Sequence, residues 1–467
     1  MLFTSFNYFI FLPIVLLILL IIPRKLRVTW LLLASYYFYF CWDYRYIFFL
    51  FGVTVFSYVI GLLIGNQKRT SIQKFLLTLG ITGSLGLLFV LKYIGFFTGL
   101  ELNIIVPIGI SFYLFQSIGY MIDVYRGKEV QKNFLLYALF VGFFPQLTSG
   151  PIEHADRMTE QFKALENASL WNYERIKNGM LLILWGLFEK TIIADRIGLY
   201  VDEVYGNYTE HGLITIIVAV ILYSFQIYCD FDGYTNMARG TAQMLGIELS
   251  CNFRQPYLAV NIKDFWRRWH ITLTSWFTEY VYFSLGGNRK GRIRTYINIL
   301  IVFTLSGLWH GADWTFMIWG LTHGILLVGY NIYVSINKHS TTMKTFSSRL
   351  ICRLCTFTLV TVAWVFFRAD SLSQIAALLT QCRHALDDFS AVSAVVGDGD
   401  WRLTIFGIII LILVDILHER GIHLREWISS QQAWFRYVLY VGVLCAVIFC
   451  GVQTYYAGVR TFIYFKF

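Results

Sequence analysis

Residues 296–330, YINILIVFTLSGLWHGADWTFMIWGLTHGILLVGY, decide the fold of this chain. The stretch contains two apolar runs that are separated by a short break at 311–313. A helix needs about 20 apolar residues to cross a hydrocarbon core of ~30 Å, and both runs approach that length. The pattern predicts two membrane helices with His310 at the turn between them, in the membrane interior or its outer half.

The composition extends this interpretation to all 467 residues. The chain is 57% hydrophobic and 14% charged, with a mean hydropathy of +0.59, which excludes an ordinary soluble protein. Runs such as PIVLLILLIIP at 13–23 do not alternate as the strands of a membrane barrel would. The sequence predicts an all-α polytopic membrane protein with about eleven or twelve transmembrane helices, plus re-entrant and interfacial helices.

The formal charge of +10 reports membrane topology and indicates no nucleic-acid partner. Lys and Arg lie in short loops between apolar runs, as at 24–27, 66–74 and 124–132. Such loops face the cytoplasm in membrane proteins. The alternation of basic and non-basic loops predicts that both termini are periplasmic.

Two segments are expected to lie in the membrane without crossing it. Residues 134–151 are short for a span and contain Pro145, which favours a re-entrant element. Residues 271–287 are amphipathic and aromatic, which is typical of an interfacial helix. Asp230 and Asp232 are expected at the end of an apolar helix, where they cap helices or pair with the arginines Arg239, Arg254, Arg267 and Arg268.

Histidines in the stretch 263–324 are the candidate catalytic groups. Ionisable residues at membrane depth are costly, so they indicate function by default, although a single buried histidine is more often a packing residue. His310 lies between two tryptophans, and a buried neutral imidazole accepts a proton from a hydroxyl. His270 is the second candidate, as an orienting or transition-state-stabilising partner, and His323 is expected to pack between helices. Neither an HxxxH nor an HxxH pair occurs among the three, so no metal site is predicted.

A cluster of basic residues flanks these histidines. These side chains are suited to holding the phosphates of an anionic donor such as a coenzyme A thioester. Loop charges that only set membrane topology would give the same pattern, so both interpretations of the cluster stay open. The candidate donor-binding residues are Arg267, Arg268, Arg289 and Lys290.

A set of motifs spread over almost the whole chain carries a family resemblance. The motifs are MLFTSFNYFIFLPI, VPIGISFYLFQSIGYMIDVYRG, FFPQLTSGPIEH, YCDFDGYTNMARG, DFWRRWHITLTSWF, LGGNRKG, SGLWHGADWTFMIWGLTHG and WVFFRAD. Together they resemble the membrane-bound O-acyltransferases, in the branch of the alginate O-acetyltransferase membrane subunit and the teichoic acid D-alanyl transfer protein.

The resemblance implies a helical bundle around a funnel or tunnel in the bacterial inner membrane. It places the family's catalytic histidine on His310 and a supporting histidine on His270. It also implies a cytoplasmic acyl donor such as acetyl-CoA as co-substrate, with no bound cofactor, and a periplasmic partner of the SGNH-hydrolase type that serves a polysaccharide acceptor. Candidate tunnel or supporting residues are Trp309, Asp313, Trp314 and Asp230.

The sequence as a whole predicts one integral-membrane domain over 1–467 with a catalytic core at 104–334, surrounded by lipid. The expected function is O-acylation of an extracytoplasmic polysaccharide, with His310 as the base. The alternative is a transporter or flippase without covalent chemistry, although the paired half-repeats typical of such proteins are not found in the sequence. The acceptor polysaccharide, the need for a partner, and the choice between a direct base and an acyl-histidine stay open.

Overall fold

The computed structural model describes residues 1–99, 105–337, 345–384, 386–387, 392–393, 395, 398–451 and 462–463. Within these ranges the chain is helical and contains no β-strand. The predicted all-α class is therefore confirmed. The predicted single domain and its catalytic core stay predictions.

One compact unit comprises Met1–Ile183 and Tyr234–Cys251. In this unit α3 packs against α4 and α6, and α2 packs against α7. The helices that begin in this unit are α1 Phe6–Ile21, α2 Arg27–Phe40, α3 Tyr46–Asn66, α4 Thr70–Leu88, α5 Ile94–Thr98, α6 Ile110–Tyr125, α7 Phe134–Gly142, α8 Phe144–Leu147, α9 Ala155–Ala164 and α10 Tyr173–Leu187, with a π-helical turn at Phe89–Tyr93.

The other compact unit comprises Leu184–Gly233 and Asn252–Phe467. In this unit α15 packs along α16, and α16 also packs against α13 and α17. The helices are α11 Asp195–Gly206, α12 Leu213–Leu245, α13 Ile262–Arg268, α14 Ile271–Trp276, α15 Arg292–His310, α16 Trp314–Ile336, α17 Phe346–Arg368, α18 Leu372–His384, α19 Asp398–Glu419, α20 Leu424–Ser429 and α21 Ala433–Cys450, with π-helical segments at Phe188–Ala194 and Phe277–Tyr282.

Seven helical stretches in the described part of the chain are long and apolar enough to cross a membrane. The protein is therefore a multi-pass membrane protein, while the predicted number of eleven or twelve crossings is not confirmed. The candidate spans are Tyr46–Asn66, Thr70–Thr98, Leu213–Leu245, Trp314–Ile336, Phe346–Arg368, Trp401–Glu419 and Ala433–Cys450.

The segment 134–151 forms two short helices. Helix α7 has nine residues and α8 has four, with Pro145 in the first turn of α8. At 1.5 Å per residue α7 is about 14 Å long, well short of a hydrocarbon core of ~30 Å. Residues 136–150 are buried throughout, so this short, interrupted segment has the form that a re-entrant element requires.

Helix α12 corrects the expected position of Asp230. The hydropathy pattern predicts the end of an apolar helix at this residue, whereas α12 continues to Leu245. Asp230 and Asp232 are consequently buried in the middle of a 33-residue helix. A buried carboxylate requires a partner that offsets its loss of hydration.

Helices α15 and α16 approach each other closely where two glycines face each other. A Cβ atom added to Gly320 would overlap the carbonyl oxygen of Phe303, and it would lie 3.1 Å from the Cα of Gly307. A Cβ atom on Gly307 would in turn overlap the carbonyl oxygen of Phe316. Small residues at such crossings let membrane helices pack backbone to backbone. This contact fixes the position of the two helices that carry His310 and His323.

We expect Gly320→Ala to lower the thermal stability of the protein in detergent, because the added methyl group forces α15 and α16 apart. The matched control is Gly329→Ala on the same helix, where an added Cβ meets no atom within 4 Å. Thermal unfolding followed by size-exclusion chromatography measures both variants. Equal melting temperatures for the two variants would contradict the close helix contact.

Candidate active site

His310 is the last residue of α15, and its side chain is only 4% exposed. The chain breaks after it and resumes as α16 at Trp314. Asp313 caps the new helix, with its Oδ1 accepting the backbone N–H of Thr315 at 2.8 Å. The predicted break at 311–313 is thus present, and it places His310 at a helix end, where no further turn of α15 covers it.

Three aromatic rings contact the His310 imidazole nearly at right angles. The ring centroids of Trp309, Trp319 and Phe367 lie 4.8, 5.1 and 5.3 Å from that of His310, with interplanar angles of 76°, 90° and 72°. Edge-to-face pairs at this separation are in van der Waals contact. Packing from three sides therefore fixes the orientation of the imidazole.

His270 lies between α13 and α14 in a left-handed backbone conformation, with φ +41° and ψ +55°. Side chains other than glycine rarely adopt this conformation, and such residues concentrate at functional sites. Asn252 stabilises the turn after His270 with two hydrogen bonds. Its carbonyl oxygen accepts one from the backbone N–H of Ile271 at 2.9 Å, and its Oδ1 accepts one from the Thr272 hydroxyl at 2.7 Å. The left-handed backbone and the hydrogen bonds to Asn252 therefore fix the position from which the His270 side chain projects.

The structure brings His270 and His310 to the same tryptophan. The ring of Trp309 lies 6.2 Å from that of His270 and 4.8 Å from that of His310. The His270 ring also packs edge to face on Phe231 at 4.7 Å. His270 lies outside the candidate spans, and burial lowers its pKa to about 3, so its imidazole is neutral at physiological pH.

His323 lies on α16 in a separate set of rings. Its imidazole packs against Trp266 at 5.0 Å, Trp319 at 5.1 Å and Trp364 at 6.1 Å. Neither of its ring nitrogens has a hydrogen-bond partner among the described residues. Trp319 thus contacts both His310 and His323. The assignment of His323 to helix packing stays a prediction, and the aromatic surroundings are compatible with it.

The four basic candidates differ in their surroundings. Arg268 binds Asp264 at 3.0 Å and Glu419 at 2.6 Å. Arg267 is exposed in the last turn of α13, and Arg289 and Lys290 are exposed before α15. Because the Arg268 guanidinium already has two carboxylate partners, the exposed candidates are better placed to bind an anionic donor.

Asp230 has a basic partner that the sequence analysis did not expect. Its carboxylate binds the ammonium of Lys190 at 2.5 Å and accepts the backbone N–H of Ile463 at 2.7 Å. Lys190 also binds Asp195 at 2.8 Å. The expected pairing of Asp230 with one of the four arginines is therefore wrong, since α12 buries Asp230 beside the π-helical segment 188–194. Glu189 and Lys190 inside an apolar run were the available signal.

Trp319 and Phe367 are the contacts of His310 that the sequence analysis did not assign to the site. Both rings are buried, and they also pack on each other at 5.0 Å. Both belong to motifs that carried the family resemblance, which was the available signal. Trp314, a candidate tunnel residue, is 56% exposed at the start of α16. In the described part of the chain, no three His, Cys, Asp or Glu side chains form a group that could hold a metal ion.

The fold and the site define a multi-pass helical membrane protein with two histidines packed on one buried tryptophan. Comparison with known proteins assigns this class. The family model of the membrane-bound O-acyltransferases matches residues 131–368. The chain belongs to this family and is an O-acyltransferase.

Curated relatives include enzymes of cell-envelope modification. The chain is 38% identical to a peptidoglycan O-acetyltransferase of Helicobacter pylori over 386 residues, which are 75% of this chain and 72% of the relative. It is 36% identical to a probable alginate O-acetylase, AlgI, of Pseudomonas aeruginosa over 382 residues, covering 78% and 71%. A teichoic acid D-alanyltransferase of Bacillus subtilis is 31% identical over 250 residues, covering 50% and 62%.

We expect His270→Gly to be more stable than His270→Ala, because glycine adopts a positive φ at no steric cost, whereas an L side chain in the left-handed region loses roughly 1–2 kcal/mol. Both variants lose the imidazole, so they isolate the effect of backbone conformation. Thermal unfolding of the two purified proteins compares them. A more stable alanine variant would contradict the left-handed conformation at this position.

Proposed function

We propose that the protein transfers an acetyl group from a cytoplasmic thioester, acetyl-CoA, to a hydroxyl group of an extracytoplasmic polysaccharide. The enzyme works in the bacterial inner membrane, with both termini on the periplasmic side. The names of the relatives support O-acetylation of a cell-envelope glycan such as peptidoglycan or alginate. The family membership removes the support for a transporter without covalent chemistry.

The reaction exchanges one acyl bond for another. The acceptor hydroxyl oxygen attacks the thioester carbonyl carbon, the carbon–sulfur bond breaks, and an ester and a free thiol form. The neutral imidazole of His310 takes the hydroxyl proton during the attack and returns it to the departing thiolate sulfur. A positioned general base accelerates such a step by about 10²- to 10⁴-fold.

The observation that carries this proposal is that the imidazoles of His310 and His270 both pack on the ring of Trp309, and that both histidines are buried. Both imidazoles are held in place by aromatic contacts. In this proposal the His270 imidazole donates a hydrogen bond to the oxyanion that forms at the carbonyl carbon, and a preorganised donor stabilises that charge strongly. We assign His270 this supporting role.

The exposed basic residues provide the donor site in this proposal. Arg267, Arg289 and Lys290 offer cationic groups without the carboxylate partners that engage Arg268. Phosphates of a coenzyme A thioester are matched to such groups. On the outer side, we propose that an SGNH-hydrolase-type partner receives the acetyl group and delivers it to the polysaccharide; in that case the first acceptor hydroxyl is a serine of the partner.

We expect His310→Ala to abolish acetyl transfer, because it removes the general base and leaves the aromatic packing largely in place. The measurement is thiol release from acetyl-CoA and labelled acetate in the acceptor, with purified protein in nanodiscs. The matched control is His323→Leu, which removes an imidazole of similar size and burial from the same pair of helices. We expect this control to keep at least a third of wild-type turnover.

Wild-type turnover by a folded His310→Ala protein would refute the role of His310. Loss of turnover in His323→Leu without loss of folding would show that His323 takes part in the reaction. The two variants therefore separate a catalytic imidazole from a packing imidazole.

We expect the double variant Arg289→Ala, Lys290→Ala to raise the KM for acetyl-CoA about tenfold with little change in kcat, because it weakens donor binding without altering the reacting groups. The control is Lys68→Ala, Arg69→Ala, which removes two exposed cations from a different loop. Steady-state kinetics at varied salt measures both. An equal KM for the two double variants would assign the 289–290 cluster to topology alone.

A further inference from the structure

We infer that Trp319 and Phe367 limit the length of the acyl chain that is transferred at His310. The site then accepts a two-carbon acyl group and excludes chains of about eight carbons. This inference rests on the proposed function, because it concerns the acyl group that His310 handles.

The rings packed on His310 bear on the length of an acyl chain beside it. For reaction, the acyl carbonyl carbon must come within about 3–3.5 Å of its partner atom beside the imidazole. Two of the three rings on the imidazole, those of Trp319 and Phe367, come from other helices and lie at van der Waals distance. A long acyl tail that begins at this point has to pass these rings, whereas a methyl group does not.

Both rings are packed against further buried rings. Trp319 is stacked on Trp364, with centroids 5.5 Å apart and an interplanar angle of 18°, and it is fully buried. Phe367 packs edge to face on Phe316 at 5.0 Å and on Trp364 at 5.4 Å. Close-packed protein interiors have low compressibility, so a longer acyl chain could enter only by displacing these packed rings.

The backbone next to His310 and Trp319 is also closely packed, at Gly311 and Gly320. A Cβ atom at Gly311, directly after His310, would overlap the ring of Phe316. Trp319 immediately precedes Gly320, whose contact with α15 cannot widen without separating the helices. The length limit is therefore built into the crossing of α15 and α16 and into the packing of α17 on it.

The experiment measures transfer of acetyl, butanoyl and octanoyl groups from their coenzyme A thioesters by wild type and Phe367→Ala. For wild type we expect kcat/KM for acetyl to exceed that for octanoyl at least 100-fold. Phe367→Ala opens space beside His310, and we expect it to reduce this ratio at least tenfold, with slower acetyl transfer because one of the three rings that orient the imidazole is lost. The control Phe357→Ala lies on the same helix but packs on Tyr257 at 5.2 Å, and we expect it to keep the wild-type ratio.

Phe367→Leu provides a second test if the alanine variant does not fold, since it removes less volume and should shift the ratio by a smaller factor in the same direction. Acetyl transfer by wild type together with an unchanged length ratio in a folded Phe367 variant would overturn the length limit alone. Equal acetyl and octanoyl transfer by wild type would also overturn it. Absence of transfer from every thioester, with and without the partner, would overturn the proposed function and this inference with it.

Discussion

The backbone contact between Gly307 and Gly320 is the constraint on which the surroundings of His310 depend. It brings α15 and α16 close enough for Trp319 of one helix to reach His310 of the other. In a membrane, helices gain little from burying apolar surface against one another, so close van der Waals packing has to hold them together. A larger residue at either glycine would separate the imidazole from the ring that orients it.

Aromatic contacts position the site where a soluble enzyme commonly uses hydrogen bonds. His270, Trp309, His310, Trp319 and His323 form a continuous series in which each ring contacts the next. Rings of this kind hold an imidazole in one orientation and keep water away from it. A neutral imidazole in dry surroundings is the form that accepts a proton from a hydroxyl.

The charged residues discussed above fall into two groups, those that form structural ion pairs and those that are exposed to solvent. Lys190 and Asp230 neutralise each other inside the helical core, and Arg268 joins Asp264 and Glu419. Breaking a buried pair leaves an uncompensated charge, so these groups are committed to structure. The exposed cations Arg289 and Lys290 have no carboxylate partner in the part of the chain that the structure describes, so the proposed donor site is placed on them.

The sequence by itself determined the membrane class, the helical fold, the break after His310 and the candidate histidines, because these follow from local hydropathy and motif spacing. It also indicated that 134–151 is too short and interrupted for a full crossing, since Pro145 and the length of the run act locally. Only the tertiary structure decided that Trp319 and Phe367 enclose His310, that His270 packs on Trp309, and that Lys190 is the partner of Asp230. These contacts join helices distant in sequence, and an apolar helix gives no local signal of which face meets which neighbour, since nearly every face is apolar.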